Sequence, residues 1–385
     1  MARTPRTRTR SRLISGACDV LFYGSYLTTQ TQSYTEVDSC QDWYGRPVIP
    51  SSLSSTQNYG KIVVNGAVTS TAGGGILSYI YNDWPISLGD GGLDTSPLSA
   101  PAGWTLDLVA GTNPNRPVIV PLTLLQDLVD IPRQIRDLGK LITKPRSAMS
   151  AKELANHYLG AQFGWLPLFE DVNKLLNLQA SILKKNEELH RLYNESKGLR
   201  RRLRFGDDHQ NAVGTDVNAL YGSNNYVYFP YDITVDRKSW ATIRWKPVVV
   251  PGYHPSEKQI ARQARQIASG LTLNGTLRGA WDLLPWSWII DWFTNVSKYA
   301  FAYANTVPVS YSDMCFMSEV RRTCVPKPVW GIGVSNMSLA TSEVFTQTYK
   351  TRAVSSTVSA GFNMPYLDMF RLSILGALFT QRTLR

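Results

Sequence analysis

The period of the apolar residues changes several times along the chain, and this alternation constrains the fold more than any other feature. Residues 13–120 contain stretches rich in Val, Ile, Tyr and Thr, separated by Gly, Ser, Asn, Asp and Pro, which predicts β-strands. After Pro121 the apolar residues recur at steps of three and four from Leu124 to Ile142, which predicts a helix. The two types of sequence come in blocks rather than as alternating βαβ units, which argues against a doubly wound sheet.

The blocks group into three regions of an α+β protein. Residues 1–12 form a basic N-terminal arm, interpreted either as a solvated tail or as a flexible arm that contacts phosphates. A β-rich region combines three segments: 13–120, 205–250 and 306–362. A helical region combines the other three: 121–204, 251–305 and 363–385. Helical and β-rich segments are therefore interleaved in the sequence.

Two helices can be described in detail from the sequence. One long helix is expected from Leu168 to Lys197, with the following apolar residues facing inward: Leu168, Val172, Leu175, Leu176, Ile182 and Leu183. A second helix begins after Pro255 with a capping box, in which Ser256 and Gln259 bond each other's backbone amides. Its expected buried stripe comprises Ile260, Ala264, Ile267, Ala268 and Leu271.

The net charge of the chain indicates a polyanionic partner. Forty basic and 29 acidic residues give +11, and the surplus is unevenly spread. Residues 1–12 carry five Arg and no acid, whereas residues 13–110 carry two basic residues against eight acids. We therefore expect a polyanion to meet the basic segments and to be repelled by the acidic one.

Two basic clusters are the candidate RNA-binding residues. The first follows the long helix and comprises Lys197, Arg200, Arg201, Arg202 and Arg204. Its arginines offer forked donors suited to phosphates, although cations also favour helix C-termini. The second is an acid-free helix face that comprises Lys258, Arg262, Arg265 and Gln266, together with Ser269. Charge alone does not identify the polyanion as RNA, and either cluster can also be a solvated surface.

The sequence gives no pattern for catalysis, a metal or a cofactor. It lacks phosphate-loop, dinucleotide-binding and hydrolase motifs, and its four cysteines and four histidines have no zinc-ligand spacing. The cysteines are expected to be reduced thiols of a chain made in a cytoplasm. Asp282 and Asp291 are the strongest candidates for a catalytic pair of carboxylates, but in a continuous helix they would lie on opposite sides. No apolar stretch reaches the roughly 18 residues needed to span a membrane.

A Trp-rich stretch resembles the maturation proteins of single-stranded RNA phages. Residues 281–295, Trp-Asp-Leu-Leu-Pro-Trp-Ser-Trp-Ile-Ile-Asp-Trp-Phe-Thr-Asn, match a stretch typical of that levivirus-type family almost throughout. Residues 153–168, which end in Gly-Trp-Leu-Pro-Leu, are similar to a second family stretch, and the Leu-rich tail at 372–382 is loosely similar to the family's end.

The resemblance implies a single-copy virion protein without enzymatic activity or cofactor. It would bind the 3′ region of the phage genomic RNA, replace a coat-protein dimer in the capsid, attach to a bacterial pilus and enter with the RNA. It also implies an elongated body, with a helical-bundle region facing RNA and capsid and a β-sheet-rich region facing outward toward the receptor. The receptor-contacting residues are unknown; the loops 51–55 and 88–103 are the best guesses.

Two other functions remain open from the sequence. One is a lysis protein that acts on membranes or inhibits cell-wall synthesis, suggested by the basic arm and the aromatic helices. The other is an enzyme acting on nucleic acid or cell wall, which rests only on chain size and on the Asp282/Asp291 pair.

Overall fold

A computed structural model describes most of the chain. The described residues are 4–44, 50–72, 75–121, 151, 155, 158–159, 161–162, 166–249, 254–272, 276, 280–282, 296–303, 305–341, 344–358 and 369–383. The helix expected from Leu124 to Ile142 lies outside them, as do most of the 153–168 stretch and most of the Trp-rich stretch.

A large antiparallel sheet dominates the fold. Its strands are β1 (Thr4–Phe22), β2 (Ser25–Tyr44), β3 (Leu53–Tyr59), β4 (Val63–Ala72), β5 (Gly75–Pro85), β6 (Leu199–Ala219), β7 (Tyr226–Pro247), β8 (Val309–Pro326), β9 (Trp330–Ile332), β10 (Val334–Thr341) and β11 (Phe345–Ser355). Ten of them lie in the order β10-β4-β5-β1-β2-β3-β11-β8-β7-β6, and β9 pairs with β7.

The described helices are short and connect or follow the strands. They are α1 (Trp104–Thr112), α2 (Leu166–Leu176), α3 (Leu178–Asn194), α4 (Glu257–Ala268), α5 (Val296–Tyr303) and α6 (Met369–Thr383). The expectation of a helical-bundle region beside a β-rich region was therefore wrong, because the sheet extends into segments assigned to the arm and to the helical region.

The missed strands are long and polar. β6 begins at Leu199, inside the segment assigned to helix, and its residues alternate between exposed and partly buried along its length. With one face in solvent, such a strand carries charged residues at every second position and lacks the apolar run that marks a buried strand. The single long helix was also wrong, since α2 ends at Leu176 and α3 begins at Leu178.

Several side chains of α2 and α3 face opposite to expectation. Val172, Leu175, Leu176 and Leu183 are 40–80% exposed, whereas the buried residues of α3 are Lys185, Leu189 and Leu192.

The chain folds into two compact units. The first contains residues 1–100, 204–241 and 315–354, and the second contains 101–203, 242–314 and 355–385. The first unit is built on an apolar core in which alternate residues of β5 and β7 point inward, among them Tyr79, Tyr81, Phe229 and Ile233. The β1–β2 hairpin belongs to this unit, and its two-residue turn has positive φ at both Tyr23 (46°) and Gly24 (81°), the geometry of a tight type I′ turn.

The second unit is held partly by buried amide side chains. Asn115 is fully buried; it accepts hydrogen bonds from the backbone amides of Thr306 (3.1 Å) and Val307 (2.6 Å), and it donates to the Val307 carbonyl (3.0 Å). Asn113 donates to the Ala302 carbonyl at 3.2 Å. These bonds tie the chain after α1 to α5 and to the residues that follow it, and they satisfy polar groups that would otherwise be costly to bury.

Candidate nucleic-acid interface

Helix α4 is fixed at both ends, so it presents its side chains on a rigid support. The expected capping box is present: Ser256 Oγ accepts from the Gln259 amide at 3.4 Å, and the Gln259 side chain accepts from the Ser256 amide at 2.7 Å. At the other end Gly270 adopts a left-handed φ of 70°, and its amide bonds the Ile267 carbonyl at 3.1 Å. A side chain at Gly270 would collide with the Ile119 carbonyl oxygen, so the cap requires glycine.

The two faces of α4 differ sharply in polarity. The expected buried residues Ile260, Ala264, Ile267 and Ala268 are all at most 3% exposed, and the prediction is confirmed for them. It was wrong for Leu271, which lies beyond the Gly270 cap and is 71% exposed. Beyond the cap the helical period no longer applies, because the backbone has left the helix.

The opposite face of α4 carries the second basic cluster. Lys258, Arg262 and Arg265 are exposed and Gln266 is half-buried, and within the described residues the structure gives the three cations no ion pair. Because they recur at steps of four and three, they line one stripe about 10 Å long. This α4 cationic stripe has the geometry of a surface that can contact successive phosphates.

The first basic cluster lies in a turn and a strand. Lys197 is exposed in the turn between α3 and β6, and Arg244 donates to its carbonyl oxygen at 2.9 Å. Gly198 follows with φ of 75°, and a side chain there would collide with the Trp245 carbonyl oxygen. The alternative of a solvated helix end is thereby corrected, because the helix ends before the arginines and they belong to β6.

The alternation of β6 divides these arginines between two faces. Arg200, Arg202 and Arg204 are exposed, whereas Arg201 and Leu203 are half-buried on the other face. Arg201 forms an ion pair with Glu188 of α3, which also pairs with Lys185 at 3.2 Å. Arg201 therefore contributes to the packing of β6 on α3.

The buried Lys185 completes this internal ion cluster. Its ammonium donates to the Pro114 carbonyl at 3.0 Å, and burial lowers its pKa while Glu188 opposes that shift. The pairing of Glu188 with a strand residue could not be read from helical spacing.

The N-terminal arginines are not a free arm. From Thr4 the chain is strand β1, and its register with β2 places Arg6, Arg8, Arg10 and Arg12 opposite Asp42, Cys40, Asp38 and Glu36. Arg6 forms two hydrogen bonds with Asp42, at 2.9 and 2.8 Å, and Arg12 pairs with Glu36. The expectation of a flexible, solvated arm is corrected for residues 4–12, because they form strand β1 and β2 supplies acids across the strand pair.

The surplus charge of the chain falls almost wholly in the second unit. That unit has 25 basic and 15 acidic residues, a net +10, and the first has 15 basic and 14 acidic residues, a net +1. The α4 cationic stripe, Lys197, Arg200 and Arg202 all belong to the second unit, whereas Arg204 belongs to the first and lies 3.5 Å from Asp207. The second unit is therefore the one that a polyanion should prefer.

Other candidate sites find little support in the described residues. Asp291, the second member of the acidic pair, lies outside them. The described part of the chain contains no group of three or more His, Cys, Asp and Glu side chains that could hold a metal ion. In the same part, no helix has the length and apolarity needed to cross a membrane.

Comparison with known proteins supports the resemblance seen in the Trp-rich stretch. The model of the phage maturation protein family matches residues 132–324, which is half of the 385-residue chain. A search of the curated proteins finds no match. The matched segment includes both basic clusters and runs into β8. The chain belongs to the phage maturation protein family, a family of structural virion proteins and not a known family of enzymes.

Proposed function

We propose that this maturation protein binds the genomic RNA of its phage through the second unit. The observation that carries the proposal is the α4 cationic stripe, where Lys258, Arg262 and Arg265 are exposed on a rigid helix within a unit of net charge +10. Exposed cations can release the counterions of a nucleic acid, which is the main source of affinity for its backbone. Gln266 lies beside them and can add hydrogen bonds to bases or 2′-hydroxyls.

Arg200 and Arg202 extend the proposed interface. Both are exposed on the same face of β6, next to Lys197, while Arg201 is engaged with Glu188 on the other face. We therefore assign Lys197, Arg200 and Arg202 to the RNA contact and give Arg201 and Arg204 smaller roles.

The remaining roles follow from the family resemblance and stand as proposals. The protein would be synthesised in the host cytoplasm, bind the 3′ region of the RNA, take the place of a coat-protein dimer in the capsid and enter the host with the RNA. The second unit would then meet RNA and coat protein, and the first unit would meet the host pilus.

Crosslinking within intact particles tests the RNA proposal. Ultraviolet crosslinking, followed by sequencing of the bound RNA and mass spectrometry of the crosslinked peptides, should give discrete RNA sites near the 3′ end. We expect the peptides to fall in residues 197–204 and 258–269. Crosslinks confined to residues of the first unit would contradict the assignment of the interface.

An exposed apolar patch supports attachment through the first unit. At the turn of the β1–β2 hairpin, the exposed side chains are Phe22 (45%), Tyr23 (62%), Tyr26 (67%) and Leu27 (50%). Ile76 lies next to them, since the Tyr23 amide bonds its carbonyl at 3.0 Å, and it is 44% exposed. Clustered exposed aromatic residues are typical of protein–protein contacts, and a protein receptor such as pilin is therefore the partner we propose for this hairpin tip.

The hairpin tip can be tested without disturbing RNA binding. Particles carrying Tyr23→Asn and Tyr26→Ser should adsorb more weakly to host cells, and asparagine tolerates the left-handed backbone of residue 23. The matched control is Tyr59→Ser, which changes a tyrosine that is 80% exposed and lies away from the tip. Its neighbour Gly60 accepts a hydrogen bond from Arg12, which lies ten residues along β1 from Phe22. Equal adsorption of the control and the tip variant would exclude the tip as the attachment surface.

A further inference from the structure

A second exposed aromatic patch lies in the first unit, on the outer face of β7 and β9. The register pairs Tyr226 with Ile332 and Tyr228 with Trp330, and cross-strand partners share one face of a sheet. Val227, between the two tyrosines, belongs to the apolar core, so the four paired side chains point away from that core. These four residues are called the β7–β9 patch.

The centre of the β7–β9 patch is a preformed stack of two rings. The rings of Tyr228 and Trp330 have centroids 4.0 Å apart and planes inclined by only 6°. Trp330 is nevertheless 47% exposed, and its neighbours Tyr226 and Ile332 are 41% and 53% exposed. Tryptophan and tyrosine often dominate the affinity of protein–protein contacts, and a ring already held by a stack loses less freedom when a partner binds.

The border of the patch is polar, and its two described charges cancel. The Lys327 amide donates to the Pro230 carbonyl at 2.9 Å, which places Lys327 beside the patch on β7. Its ammonium forms an ion pair with Asp232 at 2.6 Å. An aromatic centre within a polar border is typical of a surface that binds another protein.

The β7–β9 patch lies at the same end of the sheet as the hairpin tip. Four neighbouring strands form one row across the sheet, which consists of Phe22, Leu77, Ser70 and Val334. Val334 follows Ile332 by two residues, so the row runs from the hairpin tip to the patch. With a strand spacing of about 4.8 Å, the row is roughly 14 Å long. Asn225 fixes this end of the row, because it donates to Ser70 and to the Gly333 carbonyl.

The hairpin tip alone is small for an attachment surface. With roughly 200 Å² for a large side chain, its five exposed residues offer about 500 Å². A specific protein–protein interface usually buries about 800 Å² on each partner. The three most exposed residues of the β7–β9 patch add roughly 300 Å², which brings the total to about 800 Å².

We propose that the β7–β9 patch and the hairpin tip bind the same protein receptor and form one attachment surface. The inference rests on the proposed attachment of the first unit to the pilus, and it adds a second part to that contact. Both parts belong to the first unit. Trp330 and Ile332 pack against apolar side chains of the receptor, and the pair of Lys327 and Asp232 lies at the edge of the contact.

Binding of particles to pili sheared from host cells tests the proposal. Ile332→Asp leaves the ring stack in place and introduces a charge into the patch, so we expect binding to weaken about 10-fold or more. The matched control is Val354→Asp, at a 43% exposed residue of β11. β11 pairs with β3, which meets β2 at Ser39–Gln41, far along β2 from the hairpin turn.

A second variant keeps the test independent of the introduced charge. Trp330→Ser removes the exposed ring and should weaken binding to a similar extent. Thermal unfolding of the full-length variants shows whether each is folded. Binding by both patch variants that equals binding by Val354→Asp would overturn the inference.

The tip variant with Tyr23→Asn and Tyr26→Ser separates this inference from the attachment proposal. Weaker binding by the tip variant and by Ile332→Asp, with the control unchanged, supports one shared surface. A loss in the tip variant alone would overturn the inference and leave attachment through the tip intact. A loss in Ile332→Asp alone would exclude the tip and so overturn the shared surface. Unchanged binding in both would overturn the attachment proposal together with this inference.

Discussion

Arginine side chains have different roles in the two units. In the first unit most arginines of β1 lie opposite acids of β2, and the unit is nearly neutral. In the second unit Arg262 and Arg265 project from α4 without an ion pair among the described residues, and the unit carries +10. A run of arginines in a sequence therefore indicates a binding surface only when no neighbouring element supplies the counter-charge.

The units also differ in how their interiors are stabilised. The first buries a continuous apolar cluster from β1, β4, β5 and β7, whereas the second relies in part on the amide network of Asn113 and Asn115. Removing one member of an apolar cluster leaves a cavity that its neighbours refill only in part. Removing one side chain of a hydrogen-bonded network acts differently, because it leaves the partners buried and unpaired.

The largest expected effect is on the network of the second unit. Asn115→Ala should lower the free energy of unfolding by about 2–4 kcal/mol, because it orphans the amides of Thr306 and Val307 and the Val307 carbonyl. Urea unfolding measures the change. The control Asn194→Ala, at an exposed position of α3, should change stability by less than about 0.5 kcal/mol. A similar small change in both variants would show that the network contributes little.

The next effect is on RNA affinity. The double variant Arg262→Glu/Arg265→Glu should weaken binding of genomic RNA about 10- to 100-fold, or about 1.4–2.8 kcal/mol, and should make the affinity less dependent on salt. Filter binding over a range of salt concentrations measures both. The matched control is Lys238→Glu/Arg321→Glu, which makes the same charge change at exposed positions of the first unit. Equal losses in the two double variants would mean that net charge matters and the α4 cationic stripe does not.

The smallest effect concerns the ion pairs of β1. Hydrogen bonds from Arg6, followed by its charge and that of Arg8, hold the pKa of Asp42 below its ordinary value. The stabilisation is therefore present above the ordinary carboxyl pKa and is lost as the pH falls through the lowered one. Asp42→Asn should be slightly less stable than the parent at pH 7, and urea unfolding should find the difference shrinking toward pH 2–3. A difference that persists unchanged in acid would show that the charge of Asp42 is not its cause.

The sequence was most informative where structure depends on near neighbours. The capping box of Ser256 and four of the five residues expected in the buried stripe of α4 follow from spacings of three or four residues. The family was also evident locally, from the Trp-rich stretch, and the family match confirms it.

The sequence was misleading where structure depends on distant partners. Arg6 forms an ion pair with Asp42, and Arg201 forms one with Glu188. Neither pairing follows from local periodicity. Residues as far apart in the sequence as Gln32 and Gln347 line one cavity in the first unit. β6 was missed for a different reason: it has one solvated face, so its sequence lacks the apolar run that would mark a strand.

The order of strands in the sheet has a consequence for how the chain must be made. β3 pairs with β11, and β4 pairs with β10. The partner of Tyr59 is Thr346 and the partner of Val64 is Thr341, so each early strand is synthesised long before the strand it pairs with. At a bacterial synthesis rate of about 5–20 residues per second, the early strands leave the ribosome roughly 15–60 s before their partners exist. Throughout that interval β3 and β4 present open backbone edges, so a prematurely terminated chain should aggregate where the complete one folds.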